Sequence, residues 1–120
     1  MSQPLFQPEV AASANLKSLV EPVPAGTVSR TLIVLPGFRQ VIFSMDAGQE
    51  LTEHRSPFTA TIQVISGRLD VSVDRKPYPL TADDWLLMPA GAPHALSAKE
   101  PTRFLLTLAA APKSDKPAQG

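Results

Sequence analysis

An all-β sandwich or barrel is the fold class this sequence predicts, and three observations predict it. Thirteen prolines and six glycines among 120 residues interrupt the chain too often for long helices. Arg68 to Asp74 alternates residue by residue, with Leu69, Val71 and Val73 toward one face and Arg68, Asp70, Ser72 and Asp74 toward the other. That is the period of a half-buried strand. Strand-like runs recur about every ten residues, each closed by a turn signal.

The elements follow in order. Residues 1–14 are rich in Pro, Ala, Ser and Gln and read as a flexible N-terminus. Asn15 to Val20 is a short helix with Asn15 as its N-cap. Thr27 to Val34 and Arg39 to Met45 are strands joined by the turn Leu35-Pro36-Gly37-Phe38. After the alternating strand, Arg75-Lys76 turns the chain into Pro77 to Leu80, where the prolines mark a sheet edge. Thr81 to Asp84 is a second turn, and Trp85 to Met88 a short buried strand. Ala95 to Ser97 and Thr102 to Leu108 complete a barrel spanning 15–108. Residues 109–120 read as a polar, disordered tail.

Composition excludes several function classes. Eleven basic and eleven acidic residues leave no net charge, so nothing attracts nucleic acid or an anionic membrane. No apolar run approaches the roughly 20 residues needed to cross a bilayer. The N-terminus lacks the basic start and apolar stretch of a signal peptide. With no cysteine, disulfides, thiolate metal sites and a cysteine nucleophile are excluded, and a cytoplasmic location is expected. No G-x-S-x-G elbow surrounds Ser56 or Ser97, and no glycine-rich phosphate loop is present. No catalytic residue is assigned.

The chain has two histidines. His54 follows Gly48 by six residues and precedes Gly67, and His94 ends Pro89-Ala-Gly91-Ala-Pro93-His94. These stretches resemble the two motifs of the small single-domain cupins, G-x5-H-x-H-x3-E-x6-G and G-x5-P-x-G-x2-H-x3-N. Gly48, His54, Gly67, Pro89, Gly91 and His94 match. Ser56 stands for the second histidine, Ala60 for the glutamate, Asp83 for the opening glycine of the second motif and Ala98 for its asparagine. Asp83 suits a tight turn better than most residues. The resemblance covers about Asn15 to Leu108 and implies a double-stranded β-helix, a jelly-roll barrel preceded by the short helix.

The resemblance also implies a site. Cupins hold a metal with three imidazoles and one carboxylate inside the barrel, of which this chain keeps His54 and His94. Two nitrogen ligands imply a weakly held divalent transition metal, with water or substrate in the remaining positions. Glu53 and Gln63, the nearest other donors, face away by strand alternation unless a bulge turns them. Without metal, the imidazoles serve as hydrogen-bonding groups of a pocket or as an acid–base pair. The expected lining is His54, Ser56, Phe58, Ala60, Ile62, Val64, Trp85, Met88 and His94, with Leu87 entering beside Met88. That is a small, mainly apolar cavity, the usual composition of a small-molecule site.

Three function classes stand. The missing ligands favour a small-molecule-binding cupin with no obligatory metal. The retained histidines favour a metal-dependent oxygenase or isomerase acting on a small carbonyl or phenolic substrate. Apolar terminal strands favour a dimer-forming module. A homodimer is expected through Thr27 to Val34 and Thr102 to Leu108, placed near sheet edges.

Overall fold

Nine antiparallel strands form two facing sheets, and the computed structural model describes residues 3–111. The strands are β1 (Thr27–Leu35), β2 (Phe38–Met45), β3 (Glu50–His54), β4 (Phe58–Ser66), β5 (Arg68–Val73), β6 (Lys76–Thr81), β7 (Trp85–Met88), β8 (His94–Ala98) and β9 (Thr102–Ala110). The first sheet runs β1-β2-β9-β4-β7 and the second β3-β8-β5-β6. This is the all-β jelly roll that the motifs imply. No helix among the described residues is long and apolar enough to cross a membrane.

The core lies between the sheets and is built by alternation. Leu69, Val71 and Val73 of β5 are buried, as their period requires. Ala60, Ile62 and Val64 of β4 meet them from the other sheet, with Phe104 of β9 and Met45 of β2. Phe43 and Phe104 pair across β2 and β9 with stacked rings, centroids 4.9 Å apart. Such aromatic pairs contribute beyond the area they bury.

The turns carry the chemistry expected of them. Gly37 holds φ 70° after Pro36, the positive φ a type II turn demands at that position. Asp83, in the place of the second motif's opening glycine, holds φ 75°. Asp84 Oδ2 accepts from the Thr81 amide at 2.8 Å and closes the same turn. β6 is an edge strand, which leaves Pro77 and Pro79 no ladder partner to fail.

Several expectations are corrected. The N-terminal helix is a single 3-10 turn, Leu16–Leu19, capped as expected by Asn15, whose Oδ1 accepts from the Lys17 amide at 3.0 Å. Part of the segment read as loose is docked, since the Leu5 and Phe6 amides donate to the Thr31 and Leu32 carbonyls at 3.0 and 2.9 Å. Thr102 to Leu108 is not at a sheet edge: β9 lies between β2 and β4, and centrality explains its apolar content. β9 runs on to Ala110, and of the tail expected over 109–120, residues 112–120 lie outside the described residues. The hairpin between β5 and β6 turns on Asp74-Arg75 rather than Arg75-Lys76.

Candidate functional site

The two histidines meet across a strand pair. His54 ends β3 and His94 begins β8, and they are direct register partners. The register shifts between Leu51 and His54. Leu51 faces the core, and three residues of regular strand would turn His54 outward. The extra residue restores the inward direction, which is what a bulge does. The bulge thus serves His54, while Glu53 stays exposed on the opposite face, as Gln63 does on β4.

The loops leading to both histidines are tied together. The Gly91 amide donates to the Ser56 carbonyl at 2.8 Å, and Arg55 Nη1 donates to the Gly91 carbonyl at 2.9 Å. Gly91 holds φ 82°, a backbone state that glycine adopts without strain. The Ser56 hydroxyl oxygen accepts from the Phe58 amide at 3.1 Å, shaping the turn into β4.

His54 Nε2 and His94 Nε2 lie 3.1 Å apart, with ring centroids at 4.3 Å and planes at 67°. His54 Nδ1 is 3.1 Å from the Thr52 carbonyl, and His94 Nδ1 is 3.2 Å from the Ala92 carbonyl. His94 is 6% exposed, whereas His54 opens to solvent. Burial lowers the His94 pKa below the usual 6.5; the Ala92 carbonyl opposes the shift and the His54 imidazole adds to it.

The pair stands at the neck between two chambers. The inner one, about 130 Å³, is lined by Phe43, Leu51, Ile62, Leu96 and Phe104 together with the histidines, Met88 and Leu106. The outer one, about 330 Å³, adds Arg55, Ser56, Phe58, Ala60 and Leu108. His54, His94, Met88 and Leu106 line both.

Of the expected lining, His54, Ser56, Phe58, Ala60, Ile62, Met88 and His94 are brought together here. Val64 is fully buried in the same core but lines neither chamber. Trp85 is not in the pocket: it is 62% exposed on the outer face. Leu87 is outside with it, because β7 alternates and Leu86 and Met88 take the inward places. Phe43, Leu51, Leu96, Phe104, Leu106 and Leu108 line the cavities in addition to the expected set. The alternation of Phe104, Leu106 and Leu108 carries the signal for three of them.

The donor set fits the metal that the family resemblance implies only in part. With metal–nitrogen bonds of about 2.0–2.1 Å, a 3.1 Å separation subtends about 100° at an ion, suitable for two adjacent positions. Among the described residues no group of three or more His, Cys, Asp or Glu exists to extend it. Ala60 offers no donor atom, and the Ser56 hydroxyl is engaged by Phe58. Two imidazoles supply two positions of a coordination shell and leave the rest to water or ligand.

The model of the cupin domain family matches residues 41–108. A Streptomyces cyaneus protein named polyketide synthase CurC is 29% identical over 118 residues, spanning 96% of this chain and 70% of that protein. A conserved protein of unknown function from Streptococcus pyogenes is 31% identical with a TM-score of 0.80, covering 94% of this chain and 98% of that one. A cupin 2 conserved barrel domain protein from Leptotrichia buccalis is 31% identical with a TM-score of 0.77, covering 80% of this chain and 47% of that one.

Proposed function

The chain belongs to the cupin domain family, and from that premise we propose that it is a small-molecule-binding protein whose ligand is oriented by the His54–His94 pair. One observation carries the reading. Two imidazole nitrogens converge at the neck of a cavity whose other walls are almost wholly apolar. Apolar walls supply affinity through water release, and a few converging polar groups fix orientation. The donor pair supports at most weak, exchangeable binding of a divalent transition metal, because two positions of a coordination shell come from the protein. The binding role needs no such ion.

A library of small aromatic and enolisable compounds, screened by ligand-observed NMR against chelator-treated protein, tests this reading. Hits are expected to compete with one another and to vanish in the His54→Ala, His94→Ala double variant, with its circular dichroism unchanged. Hits that bind the double variant as well as the wild type would place the ligand elsewhere.

A second reading is an enzyme acting on a small carbonyl or phenolic substrate, with the imidazoles as an acid–base pair. The pair's geometry favours it, since two nitrogens at 3.1 Å can hold and pass one proton. The similarity to a relative named as a polyketide synthase supports the same substrate chemistry weakly. Turnover of a bound hit, lost in either single histidine variant, separates this reading from binding alone.

A further inference from the structure

The hydrogen positions on the imidazole pair define the class of ligand, an inference that rests on the binding reading above. Each Nδ1 faces a backbone carbonyl, that of Thr52 for His54 and that of Ala92 for His94, at 3.1 and 3.2 Å. A carbonyl only accepts, so these contacts favour the tautomer with the hydrogen on each Nδ1. In a neutral imidazole the other nitrogen is then a bare acceptor. In that tautomer the two Nε2 atoms face each other at 3.1 Å as two lone pairs. His94 is 6% exposed, so its Nε2 is the acceptor that water reaches poorly, and an unmet buried acceptor costs roughly 1–3 kcal/mol. A donor brought to the neck removes that cost.

The walls decide what kind of donor. The inner chamber holds no charged residue, and its 130 Å³ approaches the roughly 150 Å³ of an apolar cavity that accepts benzene. Arg55 lies on the outer chamber and its guanidinium is engaged by the Gly91 carbonyl. An anion at the neck would meet two lone pairs and lose its hydration without a cation in return. We infer that the ligand is a neutral O–H donor on a ring-sized apolar body, a phenol or an enol, with its hydroxyl shared by His54 Nε2 and His94 Nε2 and its ring in the inner chamber.

Phenol, anisole, toluene and benzoate are the probes, titrated at pH 7.5 into chelator-treated protein and followed through the methyl signals of Ile62, Leu96 and Leu106. Phenol is expected to bind about tenfold or more tightly than anisole and toluene, as a site built for a hydroxyl rejects analogues lacking one. Benzoate should bind more weakly than phenol. Long-range nitrogen–proton spectra should show both free imidazoles protonated at Nδ1. His54→Phe removes one acceptor from an exposed position, and phenol should then lose its advantage over anisole. Equal affinities for phenol and anisole, tighter benzoate binding, a hydrogen on either Nε2, or phenol binding only after zinc is added would each overturn the inference while leaving the pocket as a binding site. If none of the four probes moves these methyls, the binding reading fails and takes this inference with it.

Discussion

His94 and Gly67 are the residues on which the structure concentrates its demands. The lowered His94 pKa means that the unfolded chain binds a proton more readily than the folded one once pH falls below about 6.5. Stability should therefore be intact above that value and decline as pH drops toward the lower, folded pKa. Thermal unfolding between pH 7.5 and 5.5 is expected to show this decline, and His94→Gln should flatten it. An unchanged slope in the variant would assign the effect elsewhere. Gly67 closes the first motif at φ 94°, and a Cβ there would lie 2.6 Å from Thr102 Oγ1 and 2.7 Å from Thr102 Cα. The neighbouring atoms belong to backbone and to a buried threonine that accepts from the Arg68 amide, so they cannot yield. Gly67→Ala should cost roughly 2–5 kcal/mol in urea unfolding, strain and overpacking together. Gly48 has positive φ but open space around it, so its alanine variant should pay only the backbone strain.

At the scale of elements, the β5–β6 hairpin and β7 invite separate tests. Asp74 and Arg75 both sit at positive φ, 52° and 64°, the requirement of a two-residue type I′ turn. Arginine is poorly suited to that conformation. Arg75→Gly is expected to stabilise the protein by roughly 0.5–1 kcal/mol, the relieved strain exceeding the entropy of the new glycine. A loss of stability in calorimetry would show that the Arg75 side chain has a role beyond the turn. β7 has four residues and presents two of them inward, so its buried character was read correctly for Leu86 and Met88 and wrongly for Trp85 and Leu87. Trp85→Ser should change stability by less than about 1 kcal/mol, whereas Met88→Ala should cost about 2–5 kcal/mol. Equal effects in a urea titration would mean that the two faces of β7 are not distinguished by burial.

At the scale of the whole molecule, the outer face of the first sheet is divided. Phe6, Leu16, Leu19 and Val20 cover Leu32, Ile42 and Leu105 on one half. The other half leaves Trp85 and Leu87 exposed beside Gln63 and Thr61, their register partners, with no charge among the four. β7 is also a sheet edge, and uncharged apolar edges pair readily. β9 is interior, β1 is an edge partly bonded by Leu5 and Phe6, and this half-face is a further surface on which two copies can meet. A twofold dimer through it remains our proposal for assembly. Light scattering at tens of micromolar should give the dimer mass for the wild type and the monomer mass for Trp85→Glu, Leu87→Glu. A wild-type monomer would refute the dimer, and a dimeric double variant would move the interface elsewhere.

What the sequence determined by itself was local and periodic. Proline and glycine punctuation excluded long helices, and alternation assigned the core face of β5. The spacing of Gly48, His54, Gly67, Pro89, Gly91 and His94 matched two family motifs and so identified the barrel. Asp83 was legible as a turn residue because its preference is intrinsic. Tertiary structure decided what depends on partners distant in the chain. Whether a strand is central or at an edge is a property of its neighbours, so the place of β9 between β2 and β4 is not written in its apolar run. A bulge is a mismatch between two strands, invisible in either alone, and it turns His54 toward His94. The carbonyls of Thr52 and Ala92 then stand beside the two Nδ1 atoms, and a tautomer is biased by the acceptor the fold places beside the ring.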